Sequence, residues 1–316
     1  MITVVIPTIG RRSLHRVLAA LGADVETIVV DDRPRFCPAL KVPGHVQVLR
    51  TGGRGPATAR NAGWRAARTP WIAFLDDDVV PQPGWQDALI ADLADLPDDV
   101  AGSQGRLRVE LPVGRRPTDA EWNTVALTKA GWATADMAYR RSALESIGGF
   151  DERFPHAYRE DADIALRLLK AGFELAKGQR VTLHPVRDDG FWSSVRAQRG
   201  NADDALMRRV HGAGWRAAVD GVPGRLSRHA VTTALGLVSC ALLVAVGRGG
   251  HQARYLPALG AMAGLGWLAL TAEFAWARLA PGPRTPEEVL RMTVTSVIIP
   301  PVACAHRLRG ELRVRR

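Results

Sequence analysis

Residues Asp76, Asp77 and Asp78 stand in a row within WIAFLDDDVVP, directly after five apolar residues. An apolar run of that length, closed by charge, predicts a short buried strand over 71–75, with the three carboxylates where the strand leaves its sheet. Like charges this close repel. They either face water as a solvated acidic turn or share a divalent cation, and hard carboxylate oxygens suit Mg²⁺ or Mn²⁺. A second acidic pair, Glu160 and Asp161, opens the amphipathic stretch REDADIALRLLKAGFEL. Carboxylates favour the positive end of a helix, so capping accounts for this pair without any chemistry.

The elements that must hold these groups follow from periodicity. ITVVI (2–6), ETIVVDD (26–32) and VQVLR (46–50) read as strands. SLHRVLAAL (13–21) reads as a helix with Leu14, Val17, Leu18 and Leu21 on one face and Ser13 as its N-cap. GGRGPATARNAGWRAAR then gives a glycine-rich turn and a helix before the strand at 71–75. Further on come a strand at about 134–139, a short helix ending at Gly148 and Gly149, and the helix that Glu160 and Asp161 open, with Gly172 as its stop. Alternating strands and helices predict an α/β domain with a mostly parallel sheet and a ligand site beyond the carboxyl ends of the strands. Asp31 and Asp32, Gly52 to Gly55, and Asp76 to Asp78 all fall at those ends.

Bulk composition narrows the partners. The chain has 316 residues and a net charge of +10, but residues 225–316 hold twelve Arg against four Glu. Eight of the ten excess charges therefore lie in the tail, which argues against a nucleic-acid groove on the main domain. Cys37, Cys240 and Cys304 are scattered singly, fitting neither a disulfide framework nor a zinc site and consistent with a reducing compartment. Met1 leads straight into ITVVIP, too short and without a basic leader for a signal peptide, so the N-terminal domain is expected in the cytoplasm.

VVIPTIGR, IVVDD, GPATARNAGW, WIAFLDDDVVP, TADMAYRRSALESIGGFDERF and YREDADIALRLLKAGFE together resemble the family 2 glycosyltransferases of GT-A fold, in that family's order and spacing, over about residues 1–200. The resemblance implies a nucleotide-sugar donor and Mn²⁺ or Mg²⁺. It sets Thr8 in the nucleotide pocket, Asp31 or Asp32 against the base, and Arg60 and Asn61 beside the nucleotide. The family often continues the second motif with Gly-Ser, where this chain has Arg33 and Pro34. Asp76, Asp77 and Asp78 carry the D-x-D element, with Asp76 and Asp78 toward ribose and metal and His184 near the metal. Asp161 is implied as the general base, with Glu160 beside it, and a helix N-terminus is expected to lower its pKa. Asp136 and Trp192 are assigned to the acceptor, Trp192 being equally readable as a core aromatic. One base and no second nucleophile imply inversion in a single displacement. Gln198 is followed by Arg199, Gly200 and Asn201 without the Trp of a processive signature, so transfer of one sugar is expected.

The tail adds a membrane. Residues 230–247 carry no charge and 256–277 only Glu273, which predicts two spans joined by RGGHQAR. Residues 289–306 hold Arg291, His306 and the pair Pro300-Pro301, which would break a helix. If this segment spanned, the arginine-rich end would lie outside, against the positive-inside tendency, so an interfacial position is expected. The organisation predicted is a catalytic domain over 1–224 and a membrane region over 225–316, in a multi-pass membrane protein acting on a lipid-linked or envelope glycan. Two other functions compete. A nucleotidyltransferase also pairs acids on an α/β sheet, but the helix opened by Glu160 and Asp161 and the lack of a basic triphosphate loop near the N-terminus argue against it, and a non-catalytic scaffold would not need Asp76, Asp78 and Asp161.

Overall fold

The computed structural model describes residues 1–186, 190–219, 221–247 and 255–314. In chain order its main elements are β1 (Ile2–Thr8), α1 (Leu14–Leu21), β2 (Thr27–Asp31), β3 (Gln47–Arg50), α2 (Pro56–Ala66), β4 (Trp71–Leu75), β5 (Val80–Pro81) and α3 (Trp85–Ala94). They continue as β6 (Val100–Arg108), α4 (Asp119–Leu127), β7 (Asp136–Arg140), α5 (Arg141–Ile147), α6 (Glu160–Lys170), β8 (Glu174–Leu183), α7 (Ser193–Arg196), α8 (Gly200–His211), α9 (Leu226–Gly247), α10 (Leu256–Leu279) and α11 (Pro286–Val314). Contacts divide the chain into two compact units, one of Met1–Glu110, Asn123–Val186 and His211–Gly221, the other of Leu111–Trp122, Arg187–Val210 and Val222–Arg316.

The first unit is built on an eight-stranded sheet in the order β3-β2-β1-β4-β7-β6-β8-β5. β1, β2, β3 and β4 run parallel, and β7 lies antiparallel between β4 and β6. The apolar runs seen in the sequence are strands buried on both faces, which is why they do not alternate with polar residues. Val4, Ile6, Ala73 and Leu75 point to a layer with α1 and α3. Val5, Ile28, Ile72 and Phe74 point to a second layer with α2, α5 and α6.

Helix α1 buries the four predicted residues, though Ser13 caps it with no side-chain hydrogen bond. Gly172, at φ 88°, stops α6 as expected, and the N–H of Phe173 closes on the carbonyl of Leu168 at 3.1 Å. Gly63 lets α2 lie on the sheet, because a Cβ there would collide with Val5 and crowd Val30.

In the second unit, α9, α10 and α11 are each long and apolar enough to cross a membrane. Helix α11 runs through Pro300 and Pro301, against the expected break. Proline's fixed φ is itself helical, and the loss is confined to two N–H donors and the carbonyls they would have met. The connection RGGHQAR and the last two arginines of the chain lie outside the described residues.

Gly63→Ala is expected to lower stability by about 1–3 kcal/mol through overpacking, without altering the site. The thermal unfolding midpoint of the purified protein checks this.

Candidate active site

Four strand ends and two helix N-termini of the first unit converge on the acidic residues. At the end of β1, Thr8 Oγ1 donates to Asp77 Oδ2 at 2.6 Å, and Arg11 Nη1 lies 2.7 Å from Asp77 Oδ1 and 3.4 Å from Asp78 Oδ2. At the end of β2, Asp32 takes the hydroxyl of Thr51 (2.6 Å) and the backbone N–H groups of Gly53, Arg54 and Gly55 (2.8–3.0 Å). It thereby folds the glycine-rich turn into a clasp ahead of α2. Asp31 is fully buried and gripped by the fork of Arg33 at 2.8 Å from both oxygens, which holds its carboxyl below the usual range. Both carboxylates assigned to the base are thus already engaged by protein, and Arg33, where the family often has Gly, is the reason for one of them.

Arg60 joins the two acidic motifs. Its side chain is 2% exposed, and it donates from Nη1 to Glu160 at 2.8 Å and from Nη2 to Asp76 at 2.9 Å. Its guanidinium also lies over the Phe150 ring, 5.6 Å from the centroid. Arg60 and Glu160 are 100 positions apart in sequence, and this contact brings the N-terminus of α6 to the end of β4. Asp161 Oδ1 accepts the backbone N–H of Ala162 at 2.8 Å. Asp76 Oδ2 and Asp161 Oδ2 meet no protein donor among the described residues, and both side chains keep part of their surface open.

Burial pushes the carboxyls of Glu160 and Asp161 up. Arg60 opposes this at both, and the neighbouring charges of Asp161 at Glu160 and of Asp76 at Asp161 add to it. The expected lowering at Asp161 is therefore reversed, because desolvation outweighs the single backbone donor.

Other assigned residues sit differently. Asn61 is 1% exposed, with its amide spent on Phe150, Glu152 and Trp64 at 2.8–2.9 Å. It braces the turn at Gly149 (φ 78°), where a Cβ would fall 2.5 Å from Asn61 Oδ1. Asp136, expected at the acceptor, is fully buried: it pairs with Arg180 Nε (2.7 Å) and accepts from Trp85 Nε1 (2.7 Å) and the Thr182 hydroxyl. The sheet takes it out of reach, because β7 places it between β4 and β6 in the interior. His184 follows β8, one step beyond the ladder in which Leu183 pairs with Val80, so its backbone is beside the acidic loop. Its Nδ1 is 3.1 Å from the carbonyl of Pro185. Trp192 belongs to the second unit, 45% exposed and edge-on to Phe191. Arg11 and Arg180 went unread. Arginine after a turn or within a strand carries no local signal of a partner 66 or 44 positions away.

No group of three or more His, Cys, Asp or Glu placed to hold a metal occurs among the described residues, so Asp76, Asp78 and His184 do not form a cage. The carboxylate set still fits Mg²⁺ or Mn²⁺, which commonly take one or two protein carboxylates and complete their shell with water and substrate phosphates. The open oxygen of Asp76 is the observation in favour.

Arg60→Ala leaves Glu160 and Asp76 without their cation and is expected to cost about 3–5 kcal/mol. A carboxyl with a raised folded pKa favours folding below its unfolded pKa, and that contribution is lost as pH rises through the folded value. Removing Arg60 raises Glu160 further. The deficit in melting temperature against the parent is therefore expected to widen from about pH 5 to about pH 8.

Comparison with known proteins agrees with this geometry. Residues 3–148 match the family described as "Glycosyl transferase family 2". A pre-mycofactocin glycosyltransferase of Mycobacterium tuberculosis is 33% identical over 195 residues, 55% of this chain and 40% of that protein, so the chain spans well under half of that relative. The succinoglycan biosynthesis protein ExoO of Rhizobium meliloti is 40% identical over 249 residues, 69% of this chain and 68% of that one. Among solved structures, the mannosyltransferase PcManGT from Pyrobaculum calidifontis, in complex with GDP-Man and Mn²⁺, aligns at a TM-score of 0.52 and 19% identity over 97% of this chain and 86% of that one, a likeness of fold. With the sheet order, the acidic strand end and these relatives in agreement, the chain belongs to the family 2 glycosyltransferases, with the GT-A fold.

Proposed function

We propose that the chain is a metal-dependent, inverting glycosyltransferase that moves a sugar from a nucleotide-sugar donor to a membrane-associated or cell-envelope acceptor. The observation that carries this reading is the Arg60 bridge, which sets the donor-side carboxylate Asp76 and the pair Glu160-Asp161 around one buried guanidinium.

Asp76 and Asp78 would hold Mg²⁺ or Mn²⁺, as the Mn²⁺ complex of PcManGT also suggests. When bound, the cation offsets the negative charge that grows on the departing nucleoside diphosphate. Asp161 takes the proton of the acceptor hydroxyl as that oxygen forms its bond to the anomeric carbon and the bond from that carbon to the phosphate oxygen breaks. A single displacement of this kind inverts the centre. The raised pKa of Asp161 suits the task, because a base works best when its pKa approaches the working pH. Glu160 orients Arg60, and Asn61 shapes the turn behind it and does not touch the donor.

For the second unit we propose two spans, α9 and α10, with α11 in the membrane interface and its basic end on the side of the catalytic domain. Support comes from contacts along α11. Near its start Glu288 accepts the backbone N–H of Asp119 at 3.0 Å, and near its end Gly310 packs on the backbone of Ala202. Between them Thr295 and Ser296 meet Arg278, which also binds Asp119 and Ser194. Residues 288 to 310 cover about 33 Å at helical rise, so both ends of that length stay beside polar segments that could not enter a bilayer core.

Asp161→Asn keeps size and an oxygen for the N–H of Ala162 and is expected to lower kcat by ~10²- to 10⁴-fold with an unchanged melting temperature. The acid limb of kcat/KM for the parent is expected above the ordinary carboxylate pKa of about 4. Near-normal turnover by the variant would remove Asp161 from the role. Topology reporters fused after Arg316 and inserted at Gly250 are expected on opposite sides of the membrane, and the same side for both would refute two spans with an interfacial α11.

A further inference from the structure

The three aspartates of the acidic loop are held by two guanidinium groups of unlike character. Arg60 is 2% exposed and fixed between two carboxylates. The side chain of Arg11 is 38% exposed, while those of Asp77 and Asp78 are 2% and 6% exposed, so of the two arginines it is the one open to solvent. Its grip is also uneven, 2.7 Å on Asp77 and 3.4 Å on Asp78. Asp77 is pinned a second time, by the hydroxyl of Thr8 at 2.6 Å, and that hydroxyl in turn accepts the N–H of Gly10 at 2.9 Å. The contact with Asp77 is therefore part of a latch between the β1 turn and the loop. The contact with Asp78 is the long, exchangeable one.

We propose that Arg11 is a resident counter-charge that competes with the divalent cation for Asp78 and turns to the donor diphosphate when cation and donor arrive together. This rests on the metal-site reading above and extends it to a residue to which that reading gives no role. A bare cation approaching Asp78 meets a positive charge already within Coulomb range of all three aspartates. A cation carried by a diphosphate brings negative oxygens that accept the Nη1 N–H released from Asp78, and arginine's planar fork suits phosphate oxygens. Asp77 keeps Arg11 tethered throughout. The consequence is an order of binding in which the free enzyme holds the cation weakly and the cation–diphosphate complex tightly.

The test uses the full chain in detergent, with Mn²⁺ alone and then Mn²⁺ with inorganic pyrophosphate, the free Mn²⁺ being followed by electron paramagnetic resonance. Arg11→Gln is expected to bind Mn²⁺ alone roughly tenfold more tightly than the parent, the scale of one partly screened charge acting on a divalent ion. It is expected to bind pyrophosphate in the presence of Mn²⁺ more weakly, and Arg11→Lys, which keeps the charge without the planar fork, to follow the parent with Mn²⁺ alone and to fall between the two with pyrophosphate. Equal Mn²⁺ affinity of the parent and Arg11→Gln overturns the proposal. Asp78→Asn separates the two levels: if it loses Mn²⁺ while Arg11→Gln is unchanged, only the role of Arg11 fails, and if it binds Mn²⁺ like the parent, the metal site fails and the proposal with it. Should Arg11→Gln not fold by its melting temperature, Arg11→Met, which keeps an apolar stem without the charge, replaces it.

Discussion

A buried guanidinium between two carboxylates organises the first unit. Arg60 is desolvated, and an arginine in that position persists only where anions meet it on well-placed bonds. Asp76 and Glu160 supply those bonds, one from the end of β4 and the other from the start of α6. The strand that ends in aspartates and the helix that begins with acids are thus tied together by one arginine, which keeps Glu160 paired in the interior while Asp76 stays a third exposed. Phe150, under the guanidinium, belongs to the turn that Asn61 braces, so packing and ion pairing share the same few residues.

The parts of the fold that sequence revealed are those whose cause is local. β1, β2 and β4 are apolar on both faces, and helices α1 and α6 carry their stripe within a single turn's spacing. β6 escaped notice because VAGSQGRLR is rich in glycine and polar residues. It is a strand because Gly102 lets it close on β7, where a Cβ would stand 2.7 Å from the carbonyl of Ala138. Such a constraint lies in the neighbour and leaves no period in the strand itself. The prolines of α11 mislead in the opposite direction, having a strong local signal that the helix overrides.

The same distinction runs through the site. That acids gather at strand ends was readable, but which of them remain open was not, because saturation is decided by distant or backbone partners. Asp31 is closed by Arg33, two positions on, and this contact alone could have been suspected from spacing. Asp32 is closed by main-chain N–H groups, and Asp136 by an arginine 44 positions later. Folding sorts like carboxylates into structural anions and reactive ones by the donors it delivers to each.

The sheet order gives the acidic loop a mechanical character. β4 is the fourth strand and β5 the eighth, yet only residues 76–79 connect them. Four strand spacings in a flat sheet amount to about 19 Å, while the five Cα steps from Leu75 to Val80 reach about 18 Å at most. The connection covers even less than that, because it turns at Asp77 and Asp78 with the N–H of Val79 3.5 Å from the carbonyl of Asp76, so the sheet must curl strongly for β5 to pair with β8 at all. A four-residue turn anchored by a strand at each end leaves its carboxylates little room to shift, so accommodation of a ligand falls to the side chains that face them.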